Sequence, residues 1–168
     1  MLTKNFYSYM RVALQKASDY FTKTDGTTKY LHLSKSYSDP PFEVMYKWSV
    51  NYNGTGVSFG TGTTPATVSD YALQNALGDT QISVTAPSAV SYSRGDTFDE
   101  YSVSFGVTNI TDEAITISEV GLFSCASDGS FNSTFLVDRT VLDATVTIPP
   151  HETKHIAYTI HFNYGDAV

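Results

Sequence analysis

The sequence predicts an all-β protein, an antiparallel β-sandwich of jelly-roll or Ig-like type with an α-helix at its N-terminus. Three observations predict it. Apolar and polar residues alternate with a period of two along much of the chain after residue 80. Thr, Ser, Val, Ile, Tyr and Phe dominate, and most of these suit a pleated, half-buried surface. Short polar turns separate the alternating segments, with no βαβ pattern between them, so antiparallel pairing is expected.

The opening segment differs from the rest. Leu2, Phe6, Met10, Ala13, Ala17 and Phe21 recur at helical spacing, with Tyr7 and Leu14 close to the same face. The spacing predicts a helix over residues 4–19, with Thr3 as its N-cap. Residues 1–20 are read as an anchor or packing arm, and residues 21–168 as the sandwich domain. A helix this short needs a surface for its apolar stripe, either in its own domain or on another subunit.

Asp25-Gly26 then predicts a hairpin across residues 21–33, because Asp-Gly supplies the positive φ of a tight turn. Residues 43–51 read as a strand carrying Val44, Tyr46 and Trp48. Residues 54–76 form a long turn region, with positive φ expected at Gly60 and Gly62. Within it, Ser69 or Asp70 caps one helical turn that buries Tyr71, Leu73 and Leu77. Ile82 and Val84 begin the alternation. Along residues 99–109, Tyr101, Val103, Phe105 and Val107 face one way and Ser102, Ser104, Gly106 and Thr108 the other. Further strands are predicted at 114–123, 134–142, 145–148 and 155–163, the last with Ile156, Tyr158, Ile160 and Phe162 on one face. Residues 109–113 and 149–153 are turns, and 124–133 a polar loop.

Composition excludes several functions. Net charge is −7 and the ten Lys and Arg residues are scattered, so the basic stripe that a nucleic acid requires is missing. No apolar run reaches the roughly 18 residues of a membrane span, and residues 1–17 do not read as a signal peptide. The single cysteine, Cys125, rules out a disulfide framework and a multi-cysteine metal site. The three Asn-x-Ser/Thr triplets, at Asn53, Asn109 and Asn132, are expected by chance in a chain so rich in hydroxyls.

No constellation assembles a reaction centre. The stretch Gly60-Thr61-Gly62-Thr63-Thr64-Pro65 lacks the Lys and the helix of a phosphate loop. His155 and His161 share a strand face but stand roughly 20 Å apart at about 3.3 Å per residue. His32 and His151 are placed beside neither of them, so no metal or other cofactor is expected. Asp96, Asp99, Glu100, Asp112 and Glu113 lie in turns and read as solvated. Asp138 and Arg139 interrupt an apolar strand and point to opposite faces, so both cannot enter the core. Glu119 is a similar intrusion, and Glu119 with Arg139 is expected to form a structural ion pair. With 12 Tyr and 10 Phe, one core cannot take every ring. Phe6, Met10, Leu14, Phe21, Tyr52, Tyr92 and Tyr164 are therefore the candidate interface residues.

Four segments carry a resemblance. They are Gly60-Thr61-Gly62-Thr63-Thr64-Pro65 with Asp70-Tyr71-Ala72-Leu73; Phe105-Gly106-Val107-Thr108-Asn109; Glu119-Val120-Gly121-Leu122-Phe123; and Leu136-Val137-Asp138-Arg139-Thr140-Val141 with the ending Tyr158-Thr159-Ile160-His161-Phe162. In this order they resemble small β-sandwich structural proteins of tailed bacteriophages, the tail-fibre-associated and head-fibre-like virion proteins. The resemblance spans residues 57–163, and the opening Met1-Leu2-Thr3-Lys4-Asn5-Phe6-Tyr7 is similar to some of them. It implies symmetric oligomers without catalysis.

The expected function is thus non-enzymatic: a virion structural protein at the tail, collar or fibre attachment, assembled in the bacterial cytoplasm. Its expected partners are other virion proteins and copies of itself in a trimer or ring, with no nucleic acid and no membrane. Capsid decoration on the head fits the same features. A carbohydrate-binding module that recognises a host glycan is the third reading, motivated by the loop tyrosines and turn carboxylates.

Overall fold

The computed structural model describes residues 1–15, 18–32, 56–85, 90–127 and 132–163. The protein has a sandwich-like all-β fold, mostly antiparallel sheet with a short N-terminal helix. The strand predicted at 43–51 lies outside the described residues, as do Tyr52 and Tyr164. The chain forms two compact units: Met1–Leu77 with Thr116–Thr147, and Gly78–Ile115 with Ile148–Val168.

The first unit contains helix α1 (Lys4–Gln15), the hairpin β1 (Ser18–Thr22) and β2 (Thr28–His32), and β3 (Gly56–Gly60). It also holds most of β7 (Ile115–Ser127) and β8 (Asn132–Ile148), which complete the sheet β3-β7-β8. The helix stops at Gln15 rather than residue 19. The reason is the hairpin: Ser18 pairs with His32 and Thr22 with Thr28, so residues 18–22 are taken as its first strand. Gly26 closes the turn at φ 81°, the conformation the Asp-Gly pair predicts. Asp25 braces it by accepting from the Thr27 N–H and hydroxyl, at 2.8 and 2.6 Å, and from Lys23 Nζ at 2.9 Å.

Thr3 takes the N-cap position, its carbonyl accepting the Phe6 N–H at 3.1 Å, but its hydroxyl is directed to β8. The residues before the helix run beside β8, with Leu2 bridging Asp138. The Thr3 N–H donates to Val137 O at 3.0 Å and its hydroxyl to Leu136 O at 2.6 Å. Asn5 extends this seam. Its amide donates to Thr22 O and Leu136 O and accepts from the Thr22 N–H. The helix therefore lies on its own chain, against β1, and Phe6 is buried, as are Phe21, Phe59, Leu136 and Val137 of the same unit.

The strands predicted at 134–142 and 145–148 are one strand, β8. Asp143 and Ala144, which suggested a break, continue it with both side chains exposed. β7 likewise runs on to Ser127, into the predicted loop.

The second unit is built on β6 (Phe98–Asn109). β9 (Thr153–Asn163) pairs antiparallel along nearly its whole length, from Phe98↔Asn163 to Thr108↔Thr153. Its other side takes β4 (Ile82–Val84) and β5 (Val90–Arg94). Val103, Phe105 and Val107 are buried, as the period of two predicts, and Tyr158 joins them from β9. Asn109 ends β6 fully buried. Its amide donates to Glu113 O, Ile148 O and Pro149 O at 2.7, 3.0 and 3.2 Å, and its oxygen accepts from the Thr111 N–H and hydroxyl. One side chain thus ties together the turns before β7 and before β9. His151 adopts φ 57° in the second of these turns.

Candidate functional site

The most elaborate polar arrangement among the described residues lies in the first unit, around Arg139. β8 carries Arg139 and β7 carries Glu119, and the two side chains are 1% and 0% exposed. Arg139 Nε donates to Glu119 Oε2 at 2.8 Å. The other guanidinium nitrogens reach the loop that follows β3, one to Asp70 Oδ2 at 2.9 Å and one to Thr64 O at 3.1 Å.

The same loop supplies the remaining partners of Glu119. Its Oε1 accepts from the N–H groups of Gly62 and Asn75, at 3.1 and 2.9 Å, and its Oε2 from that of Gln74 at 3.2 Å. Asp70 in turn accepts from the Thr67 N–H and hydroxyl at 2.9 and 2.8 Å. The loop closes on itself beside β3 through Thr61 N–H to Asn75 O and Leu77 N–H to Phe59 O, both 2.9 Å. Its Val68 carbonyl accepts the Lys4 N–H at the start of α1.

Glycine is required here for room, not for backbone handedness. Among the described glycines, Gly26 and Gly56 have positive φ, whereas Gly60 and Gly62 do not, contrary to expectation. A Cβ on either Gly60 or Gly62 would stand 2.6 Å from Glu119 Oε1, and on Gly60 also 2.7 Å from the Asn75 carbonyl. The glycines let the backbone approach the carboxylate closely enough to bond it. The expected helical turn at 69–70 is a Thr67–Asp70 turn instead, with the Asp70 carboxylate directed to Thr67 and Arg139. Leu73 is buried, but Tyr71 is exposed and Leu77 only half-buried.

Burial of Glu119 works to raise its pKa. The Asn75 N–H, the Arg139 guanidinium, and the Gln74 and Gly62 N–H groups outweigh this and hold it below the ordinary carboxylate range. Asp70 is lowered in the same way: its partial burial is overcome by the Thr67 N–H and by Arg139. Arg139 is also desolvated, yet its two carboxylates raise its pKa. A carboxylate held ionised, with both oxygens occupied, is a poor general base. The chemistry this cluster performs is cohesion between β7, β8 and the 61–76 loop.

Arg139 and Asp138 project from opposite sides of β8, yet both are buried. The alternation gives their directions correctly; the expectation that only one could be enclosed fails because each side is covered. Asp138 Oδ1 lies 2.9 Å from the Met1 amine, and Oδ2 accepts from Thr140.

The interface candidates separate. Phe6 and Phe21 are 8% and 4% exposed, with the Phe21 ring 5.1 Å from that of Phe135, so they are core residues of the chain itself. Met10 is half-buried, and the Leu14 side chain lies outside the described residues. Tyr92 is 49% exposed on β5. Its hydroxyl donates to Asp99 at 2.7 Å, and this bond raises its pKa. Sequence reasoning missed Tyr20 and Tyr30, exposed register partners on the hairpin with ring centroids 4.8 Å apart. The register of this hairpin is centred on Asp25, so the residues five before and five after it are cross-strand neighbours.

Two histidines of the second unit have separate partners. His151 lies 3.0 Å from Asp112, and His161 3.3 Å from Glu100 and stacked on Phe98. Among the described residues no three His, Cys, Asp or Glu side chains converge as metal ligands, and no helix is long and apolar enough to cross a membrane. No protein-family model, curated protein or solved structure matches the chain.

Proposed function

We propose that this chain is a structural component of a bacteriophage particle, acting through protein–protein assembly at the tail, collar or fibre attachment. One observation carries the reading. Three of the four segments that resemble such proteins come together around a single feature: Gly60 to Pro65 with Asp70, Glu119, and Arg139 all belong to the buried charge cluster. What those segments share is therefore a device for holding a long loop onto a sheet. A module that must keep one shape among many neighbours gains from such a device, because a buried charge network tolerates few alternative packings.

The test is direct. Particles purified from an infected host should contain the chain at a fixed copy number by quantitative mass spectrometry. Labelled antibody should place it on the tail or fibre attachment in electron micrographs. Purified protein should sediment as a trimer or ring. A chain absent from particles would end the proposal, and label over the head would move it to capsid decoration.

A further inference from the structure

In the second unit, the apolar face of the sheet changes character along its length. Val103, Phe105 and Val107 of β6 and Tyr158 of β9 are buried. Moving toward the start of β6, the same face carries Tyr92, Tyr101 and Ile160 as one row across the three strands, and Arg94, Asp99 and Phe162 as the next. Tyr92 is 49% exposed, and Tyr101, Ile160 and Phe162 are half-buried. The Tyr92 and Tyr101 rings lie 5.0 Å apart with 45° between their planes, and Phe162 meets Tyr101 edge-on at 6.2 Å.

A polar fork stands beside these rings. Arg94 donates to Asp99 through two nitrogens, at 2.8 and 3.2 Å, and its guanidinium carbon lies 5.7 Å from the Tyr92 ring centre. The Arg94 side chain is 68% exposed. The Tyr92 hydroxyl is tied to the same carboxylate, which fixes the ring.

We propose that this strip, Tyr92, Tyr101, Arg94 and Asp99, binds a neutral oligosaccharide. One face of a pyranose is lined by C–H bonds of partial positive charge, which suit the negative face of an aromatic ring. Its hydroxyls lie around the rim, where a guanidinium donates to them and a carboxylate accepts from them. A neutral sugar fits because the fork's charges cancel. The strip is small for a protein partner, since a stable interface buries about 800 Å² on each side. Among the described residues it exposes Tyr92 and Arg94, and in part Asp99, Tyr101, Ile160 and Phe162. A site of a few well-placed polar groups against aromatic rings is the usual form of a small-ligand site.

The experiment screens the full chain against an array of neutral hexose and N-acetylhexosamine oligosaccharides, then titrates any glycan retained. Wild type should bind, and Tyr92→Ala and Arg94→Ala should each weaken binding by about tenfold or more. Tyr20→Ala, an exposed tyrosine of the first unit, should bind as wild type does. Melting curves matching wild type establish that the variants fold. Three results overturn the proposal: no glycan retained by wild type at millimolar concentration; binding that survives Tyr92→Ala unchanged; or a solution mass that falls in Tyr92→Ala, which makes the strip a protein interface.

Discussion

The loop of residues 61–76 in the first unit and the open end of the β5-β6-β9 sheet in the second both place ionised side chains beside tightly packed neighbours. The outcomes differ because of water. Arg139 and Glu119 are 1% and 0% exposed, so each would be a costly isolated charge without the other. Arg94 makes an equally short bond to Asp99, but with 68% of its side chain exposed it would lose little by turning to solvent. Similar bond lengths therefore mark a structural necessity in one place and an adjustable surface in the other.

The sharpest way to break this comparison is to remove one ion from each pair. Arg139→Met should destabilise the protein by about 3–5 kcal/mol, because Glu119 would remain buried without its cation. Chemical denaturation measures it. A loss below about 1 kcal/mol would mean that water reaches the cluster.

Acid breaks the same cluster reversibly. Glu119 and Asp70 are held below their ordinary values of 4.5 and 3.8, so the folded state binds fewer protons than the unfolded chain. Their contribution is fully present above those ordinary values and is lost as pH falls through the lowered folded ones. Arg139, whose pKa is raised by its two carboxylates, contributes at every pH below its ordinary value. Stability measured by denaturation should thus decline from about pH 4.5 downward. In Glu119→Gln the decline should be shallower.

Next come losses in each unit that involve no charge removal. Gly60→Ala should cost about 1–3 kcal/mol, since its Cβ would meet the Asn75 carbonyl and the Glu119 carboxylate, neither with room to retreat. Asn109→Ala should cost a similar 1–3 kcal/mol, by leaving the buried carbonyls of the two turns without their donor. Thermal melting measures both. The smallest expected effect is that of Arg94→Ala on stability, within about 1 kcal/mol. A loss as large as that of Arg139→Met would erase the distinction between the regions.

Much of the second unit was legible in advance. Val103, Phe105 and Val107 alternate with Ser102, Ser104 and Gly106, and Ile156 to Phe162 repeat the pattern, because a strand half in water must alternate. Asn109 was read as the end of a strand and the start of a turn, where an Asn side chain often bonds the backbone two residues on, as it does at Thr111; its bonds to the second turn were not read. In the first unit the ion pair was legible because a glutamate and an arginine interrupting apolar strands must each find a partner. The loop that completes it was not, since neither spacing nor composition links Gly62, Gln74 and Asn75 to residue 119.

By itself, the sequence determined the strand periods, the Asp25-Gly26 turn, the helical stripe near the N-terminus and the need of Glu119 for a countercharge. These are local consequences of backbone geometry and of the cost of burying an ion. Tertiary structure alone decided that the Thr3 hydroxyl turns to β8, that Phe6 and Phe21 enter the core, and that Gly60 and Gly62 make room for a carboxylate. Each depends on segments far apart in the chain arriving at the same place, and the energy of a long-range hydrogen bond or a shared cavity leaves no periodic mark in the residues that make it.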